Sequence, residues 1–192
     1  MKNKISYQTE EAILITQHIS IPQQDVDLMY TLITGSGSGI GKALAEECAK
    51  LSMNILLVAL PGDDLAETEN SIRANYKVQC HSLAIDLSQP CTLQKVHEWV
   101  KQNNYRVNIL INNVGVGSKG AFEKLSPDFY ITQLNLNVTA TCLLTRLFVD
   151  ELKANAPSHI LNVGSMGGFF MLPEKAVYTA SKAFIYSFSR TL

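Results

Sequence analysis

Three residues of the 192-residue chain have the types and spacing for proton chemistry: Ser165, Tyr178 thirteen residues later, and Lys182 four beyond that. Positions i and i+4 share one face of a helix, so an ammonium at 182 comes close to a phenol at 178. A neighbouring cation stabilises a phenolate, which draws a phenol's pKa down from about 10 toward working pH. Ser165 lies in Gly164-Ser165-Met166-Gly167-Gly168, just after the apolar run His159-Ile160-Leu161-Asn162-Val163. A serine hydroxyl bonded to the same substrate oxygen holds a carbonyl in line and steadies the alkoxide that forms. On its own, Tyr-x-x-x-Lys is as readily a solvated helix face. The serine at a strand end makes the pair a candidate acid/base centre.

Such a centre moves only a proton; interconverting a carbonyl and an alcohol also needs a hydride carrier, and the sequence offers a place for one. Leu28 to Ile33 is an apolar run of strand length, and Lys42 to Lys50 is rich in helix formers. Between them stands Thr34-Gly35-Ser36-Gly37-Ser38-Gly39-Ile40-Gly41. Glycines between a strand and a helix start bind phosphate rather than loosen a linker. Gly35 allows a sharp turn off the strand. Gly39 and Gly41, lacking Cβ, allow close approach to a pyrophosphate and tight packing of helix on strand. The orphan N–H groups and positive dipole end of the helix then face the anion. A phenol can exchange a proton with a carbonyl while a nicotinamide exchanges a hydride.

Strand and helix patterns alternate through the rest of the chain. Asn54 to Ala59 reads as a buried parallel strand. Pro61 to Asp64 is a turn, with Asp63 placed to cap a helix over Leu65 to Asn75. A third strand lies within Lys77 to Ile85, an amphipathic helix over Thr92 to Asn103, and a fourth strand over Val107 to Ile111. Ser126 is the N-cap candidate of a long helix from Pro127 to about Ala154. The fifth strand, His159 to Val163, leads to a last helix from near Glu174 to Leu192. Five such repeats predict an α/β fold. It is a Rossmann-like, doubly wound parallel sheet of strand order 3-2-1-4-5 with helices on both faces. Ligands then bind at the carboxyl ends of the strands. Strand three ends in Asp86-Leu87, where the carboxylate can accept from an adenine amino group or merely make a turn. Strand four ends in Asn112-Asn113-Val114-Gly115, where glycine admits a cofactor and the asparagines can link strand ends.

Together these motifs resemble the classical short-chain dehydrogenase/reductases, over nearly everything from Leu28 to Leu192. The glycine loop, Asn-Asn-x-Gly, the serine and Tyr-x-x-x-Lys come in that family's order and approximate spacing. The resemblance implies an NAD(P)-dependent oxidoreductase that interconverts a carbonyl and a secondary alcohol. Tyr178 would be the acid/base and Ser165 would orient the reacting oxygen. Lys182 would assist the tyrosine's ionisation and hold the nicotinamide ribose. A fourth catalytic residue, an asparagine holding a proton-relay water, matches Asn137, with Asn135 the competing choice. Gly35, Ser36, Ser38, Gly39, Ile40, Gly41, Asp86, Leu87, Asn113, Val114, Gly115, Tyr178 and Lys182 would contact the cofactor. Val114 replaces the family's usual alanine.

The second strand ends Val58-Ala59-Leu60-Pro61-Gly62, without the usual ribose-reading aspartate or phosphate-reading arginine. With no cation in the glycine loop before Lys42, this tips slightly from NADP toward NAD, since a 2′-phosphate wants a positive partner. The family continues past the tyrosine helix with further strands, a Pro-Gly loop and a substrate lid, which a sequence ending at Leu192 does not include. The expectation is therefore an exposed sheet edge and an uncovered helix face of Ala176, Ala180, Ala183, Phe184 and Phe188. The remaining pocket lining, Val116 to Phe122 and Met166 to Leu172, is apolar and glycine-rich, which hints at an apolar or 3-oxoacyl substrate.

Composition sets the limits. Net charge is −1, from 16 basic and 17 acidic residues, which gives no reason to expect nucleic acid as a partner. No apolar run approaches a membrane span, so no membrane partner is expected. Cys48, Cys80, Cys91 and Cys142 are scattered without metal-ligand spacing. They read as reduced thiols of a cytoplasmic protein without a structural metal. Residues 1–27 read as an N-terminal extension and 28–192 as one NAD(P)-binding domain. Ala12-Ile13-Leu14-Ile15 is too short for a signal-peptide core. The family pattern implies a homodimer or homotetramer through the 127–154 and 174–192 helices. The competing function is a non-catalytic nucleotide-binding or interaction protein, although such a module needs none of Ser165, Tyr178 and Lys182 as a set.

Overall fold

The structure, a computed structural model, describes residues 29–118 and 120–192; the 1–27 extension and Leu28 lie outside them. Five strands, β1 (Met29–Thr34), β2 (Asn54–Ala59), β3 (Cys80–Ala84), β4 (Arg106–Asn112) and β5 (His159–Asn162), form one parallel sheet in the order β3-β2-β1-β4-β5. The central strands are buried on both faces, which is why β1 and β2 read as continuous apolar runs rather than alternating ones. Successive side chains point to opposite faces. Leu32, Leu56, Val58 and Leu110 accordingly enter one core with Val96, Leu144 and Phe148. Ile33, Ile55, Leu57 and Ile111 enter the other with Ala45, Ala49, Leu65 and Ile72.

Helices α1 (Gly39–Lys50) and α2 (Asp63–Asn75) supply the second core; α3 (Pro90–Gln102) and α5 (Ala140–Ala154) supply the first. Helix α2 begins at Asp63 itself, with Gly62 in the cap position, so Asp63 is not the cap residue. The long helix starts as expected. Pro127 opens α4 (Pro127–Leu134), and the Ser126 side chain accepts from the Phe129 N–H at 3.2 Å.

That helix is not continuous. Asn135–Thr139 forms a π-helical turn between α4 and α5, in which the Ala140 N–H bonds the Asn135 carbonyl. The last helix, α6 (Ala176–Thr191), starts two residues later than Glu174, which has a φ of +61° and cannot belong to a right-handed helix. Helix α6 packs on the π turn, on α4 and on the 3₁₀ turn Met166–Gly168.

Strand β5 ends the sheet, and its Leu161 is 45% exposed. On α6, Ala176, Ala180, Ala183 and Phe184 are exposed, and Phe184 stacks on half-buried Phe188 with centroids 5.6 Å apart. On the long helix, Leu144 and Phe148 face the core, whereas Leu134 and Leu143 remain exposed.

Candidate active site

The carboxyl ends of β1, β4 and β5 are tied together before any ligand is considered. Thr34, the last residue of β1, is the knot. Its Oγ1 accepts the main-chain N–H groups of Asn113 (3.0 Å) and Val114 (3.1 Å), and donates to the Ile111 carbonyl at 3.3 Å. Asn113 returns the link, its Nδ2 donating to the Thr34 and Gly35 carbonyls at 2.9 and 3.1 Å. Asn112 does the same toward β5, donating to Asn162 Oδ1 at 2.8 Å and to Thr145 Oγ1 at 3.1 Å. Replacing Thr34 with Val keeps the shape and removes every one of its hydroxyl bonds, leaving two N–H groups unpaired. The expected cost is about 2–3 kcal/mol of folding free energy, measured by urea unfolding. Unchanged stability would show that the brace is not needed.

The glycine loop sits beside this brace. Gly35 has a φ of +66°, and a Cβ there would lie 2.9 Å from the Val114 Cα. A Cβ on Gly41 would strike the Gly35 carbonyl oxygen. Gly39, at φ +57°, has open space where a side chain would be. The loop is therefore a tight, concave main-chain cradle at the N-terminus of α1, whose first turn carries no acidic residue and whose cap residue Ser38 makes no side-chain capping bond. Backbone donors are left for an anion. Ser36 is turned inward, fully buried, its hydroxyl donating to the Val58 carbonyl at 3.4 Å.

From the loop a cleft of about 770 Å³ runs along the strand ends. Gly35, Ser38, Ile40, Gly41, Asp86, Leu87, Asn113, Val114, Gly115, Tyr178 and Lys182 line it; Ser36, Gly39, Asn137 and Ser165 do not. Asp86 spends one carboxylate oxygen on a turn, accepting the Ser88 N–H at 2.8 Å.

At the cleft's far end, α6 places Tyr178 and Lys182 one turn apart. The Lys182 side chain is buried and its Nζ donates to the Val163 carbonyl at 2.8 Å. Ser165 Oγ accepts the Gly167 N–H at 3.1 Å, which fixes its side chain. A Cβ on Gly167 would stand 3.3 Å from the Tyr178 ring and 3.5 Å from Ser165 Oγ, so the hydroxyl and the ring edge share one small space. Asn137 is buried behind them. Its Oδ1 accepts the Val116 N–H at 2.8 Å, and its Nδ2 donates to the Val116 carbonyl (3.1 Å) and to Ser181 Oγ (3.0 Å). Both amide hydrogens are spent, so the Asn137 side chain acts on the Val116 loop and on α6. Ser181 passes the link on to the Tyr178 carbonyl at 2.7 Å. Gln133, fully buried, adds a second bond to the Val116 carbonyl at 3.1 Å.

Val116, read from the sequence as pocket lining, does line the cleft; Thr34, Gln133, Val163 and Ser181 were absent from the sequence-derived site. A threonine closing a strand before a glycine loop, and the serine directly before Lys182, were the available signals. Nothing marked Gln133, a polar residue that reads as an exposed helix position.

Burial holds the Lys182 ammonium below the usual lysine pKa. The unfolded chain then binds that proton more readily than the folded one, so stability rises with pH between the lowered folded value and the ordinary 10.5. Below the folded value the cost is present in full. The melting temperature of the wild type, relative to Lys182→Met, should therefore climb across that alkaline window; a difference flat with pH would contradict it.

Comparison with known proteins agrees with this geometry. A family model described as short chain dehydrogenase matches residues 30–192. The chain is 34% identical over 167 residues to a very-long-chain 3-oxoacyl-CoA reductase-A of Danio rerio, covering 85% of this chain and 52% of that protein. It is 33% identical over 169 residues to the very-long-chain 3-oxoacyl-CoA reductase of Rattus norvegicus, covering 85% and 53%. The chain thus spans about half the length of these relatives. Among solved structures, a metagenomic short-chain oxidoreductase in complex with NADP superposes with a TM-score of 0.80 at 28% identity, covering 87% of this chain and 76% of that one. A short chain dehydrogenase/reductase from Burkholderia phymatum in complex with NAD gives 0.80 at 30%, covering 87% and 59%. With its sheet order, glycine cradle and family match in agreement, the chain belongs to the short chain dehydrogenases.

Proposed function

We propose that the protein is a nicotinamide-dinucleotide-dependent oxidoreductase that interconverts a carbonyl and a secondary alcohol. The observation that carries this is one continuous cleft, from a glycine-rich main-chain cradle to a buried Lys182 and a half-buried Tyr178 on one helix face. Gly35, Ser38, Ile40 and Gly41 would hold the pyrophosphate. Gly115 and Lys182 would border the nicotinamide ribose. The bound dinucleotide supplies or takes the hydride. Tyr178 Oη gives or takes the proton at the substrate oxygen, Ser165 Oγ holds that oxygen, and the Lys182 ammonium stabilises the phenolate.

Among the described residues lining the cleft, the one cation is Lys182, far from the β2 end, where Leu60, Pro61, Gly62 and Asp64 stand. A 2′-phosphate finds no positive partner there, and a carboxylate suits a ribose hydroxyl, which supports NAD over NADP. Exposed Met166, Phe169, Phe170, Met171 and Leu172 follow Ser165 directly. Together with the names of the Danio rerio and Rattus norvegicus relatives, they support a 3-oxoacyl thioester with an apolar chain. None of the described helices is long and apolar enough to cross a membrane. The free thiols support a cytoplasmic setting. Exposed Leu134 and Leu143 support pairing of two copies through the long helix; monomer alone in sedimentation at micromolar concentration would contradict that.

Thermal melting with NADH and NADPH tests the cleft. At 100 times the dissociation constant a ligand adds about 2.7 kcal/mol, a shift of several degrees. NADH is expected to give the larger shift at equal concentration. No shift with either nucleotide would overturn the reading.

A further inference from the structure

The π turn Asn135–Thr139 aims more than Asn137. Two residues before it, Asn135 donates its Nδ2 to the Ser88 carbonyl at 2.9 Å. Ser88 is buried and belongs to the short loop between β3 and α3. That loop is also held from its own side: Asp86 Oδ1 accepts the Ser88 N–H, and Thr92 Oγ1 donates to the Asp86 carbonyl at 2.6 Å. Leu87, between them, lines the cleft, as does Leu136.

Consecutive residues of one helical turn therefore reach three places. Asn135 holds the loop after β3, Leu136 forms cleft wall, and Asn137 holds Val116 in the loop after β4. Residues i and i+2 of a helical turn point to roughly opposite sides, so the two asparagines serve different loops. The side chains that competed for one catalytic role at the level of sequence have two different tasks.

A dinucleotide whose pyrophosphate sits on the glycine loop sends its nicotinamide arm toward Tyr178 and Lys182, and its adenosine arm toward the ends of β2 and β3. Resting on that reading of the cleft, we infer that Asn135 is a positioning residue for the adenosine half of the cofactor. It acts through the Ser88 carbonyl, which sets Asp86 and Leu87 against the ligand.

Two variants test this. Asn135→Ala removes the side chain; Asn135→Asp keeps its size and removes the donor. Each is titrated with 5′-AMP, with nicotinamide mononucleotide and with NADH, with a melting curve to show that it is folded. Loss of one neutral hydrogen bond that orders the loop should weaken 5′-AMP and NADH by about five- to tenfold, with nicotinamide mononucleotide unchanged. Equal weakening of both fragments, or of neither, would overturn the inference. Amide exchange over residues 86–89 in the ligand-free chain separates this from the functional reading. If the wild type binds no nucleotide but the variants exchange faster there, the brace is real and the cofactor reading fails. If exchange is unchanged in both variants, the inference fails whatever the protein binds.

Discussion

Tyr178→Phe is expected to lower turnover by about 10²- to 10⁴-fold, the range for loss of a positioned proton donor. The substitution removes only the phenolic oxygen. The ring stays packed, because its edge is held near Gly167 and its backbone carbonyl accepts from Ser181. The dinucleotide-induced rise in melting temperature should therefore survive. This pairing of lost turnover with retained binding separates an enzyme from a nucleotide-binding module. A variant with wild-type turnover would remove Tyr178 from the chemistry. One that loses both properties would place the tyrosine in cofactor binding instead.

Gly41→Ala should have the second large effect, by a different route. The new methyl would fall on the Gly35 carbonyl and 2.6 Å from Asn113 Nδ2. Neither can retreat. Gly35 already occupies a left-handed conformation against Val114, and Asn113 is bonded to both Thr34 and Gly35. The brace and the cradle must distort together. A loss of about 1–3 kcal/mol of folding free energy is expected, along with the stabilisation by nucleotide. Gly117→Ala is the control: no atom lies within 4 Å of its added Cβ, so its effect should stay within about 0.5 kcal/mol. Urea unfolding with and without NADH measures both. A Gly41→Ala protein that is as stable as wild type and still stabilised by nucleotide would show that the loop is looser than its geometry implies.

How far the sequence carries such arguments depends on the period of the signal. Strands buried on both faces give apolar runs, and right-handed crossovers then order them, so the 3-2-1-4-5 sheet was legible from Leu32, Ile55 and their neighbours. The one-turn spacing of Tyr178 and Lys182 was legible because a helix converts i,i+4 into one face. The π turn was not, because apolar residues at four-residue spacing, Leu136, Ala140, Leu144 and Phe148, continue across it without a break. Without that turn, Asn135 and Asn137 are two polar residues on one helix that only the family resemblance ranks. Ser36 and Ser38 posed the same difficulty. Both lie among the glycines, but only the strand exit decides that Ser36 turns inward to Val58 while Ser38 lines the cleft. Asp86 carried two readings, and its turn with Ser88 coexists with a place on the cleft wall.

The most direct test of the central claim follows the hydride itself. The protein is incubated with NADH or NADPH carrying deuterium at the transferable C4 position, together with a 3-oxoacyl thioester, and the product is examined by mass spectrometry. The account predicts a 3-hydroxyacyl product with deuterium on carbon 3, formed by the wild type and lost in Tyr178→Phe. Nucleotide bound in the cleft with no deuterium transferred to that thioester or to a panel of simpler ketones would contradict it.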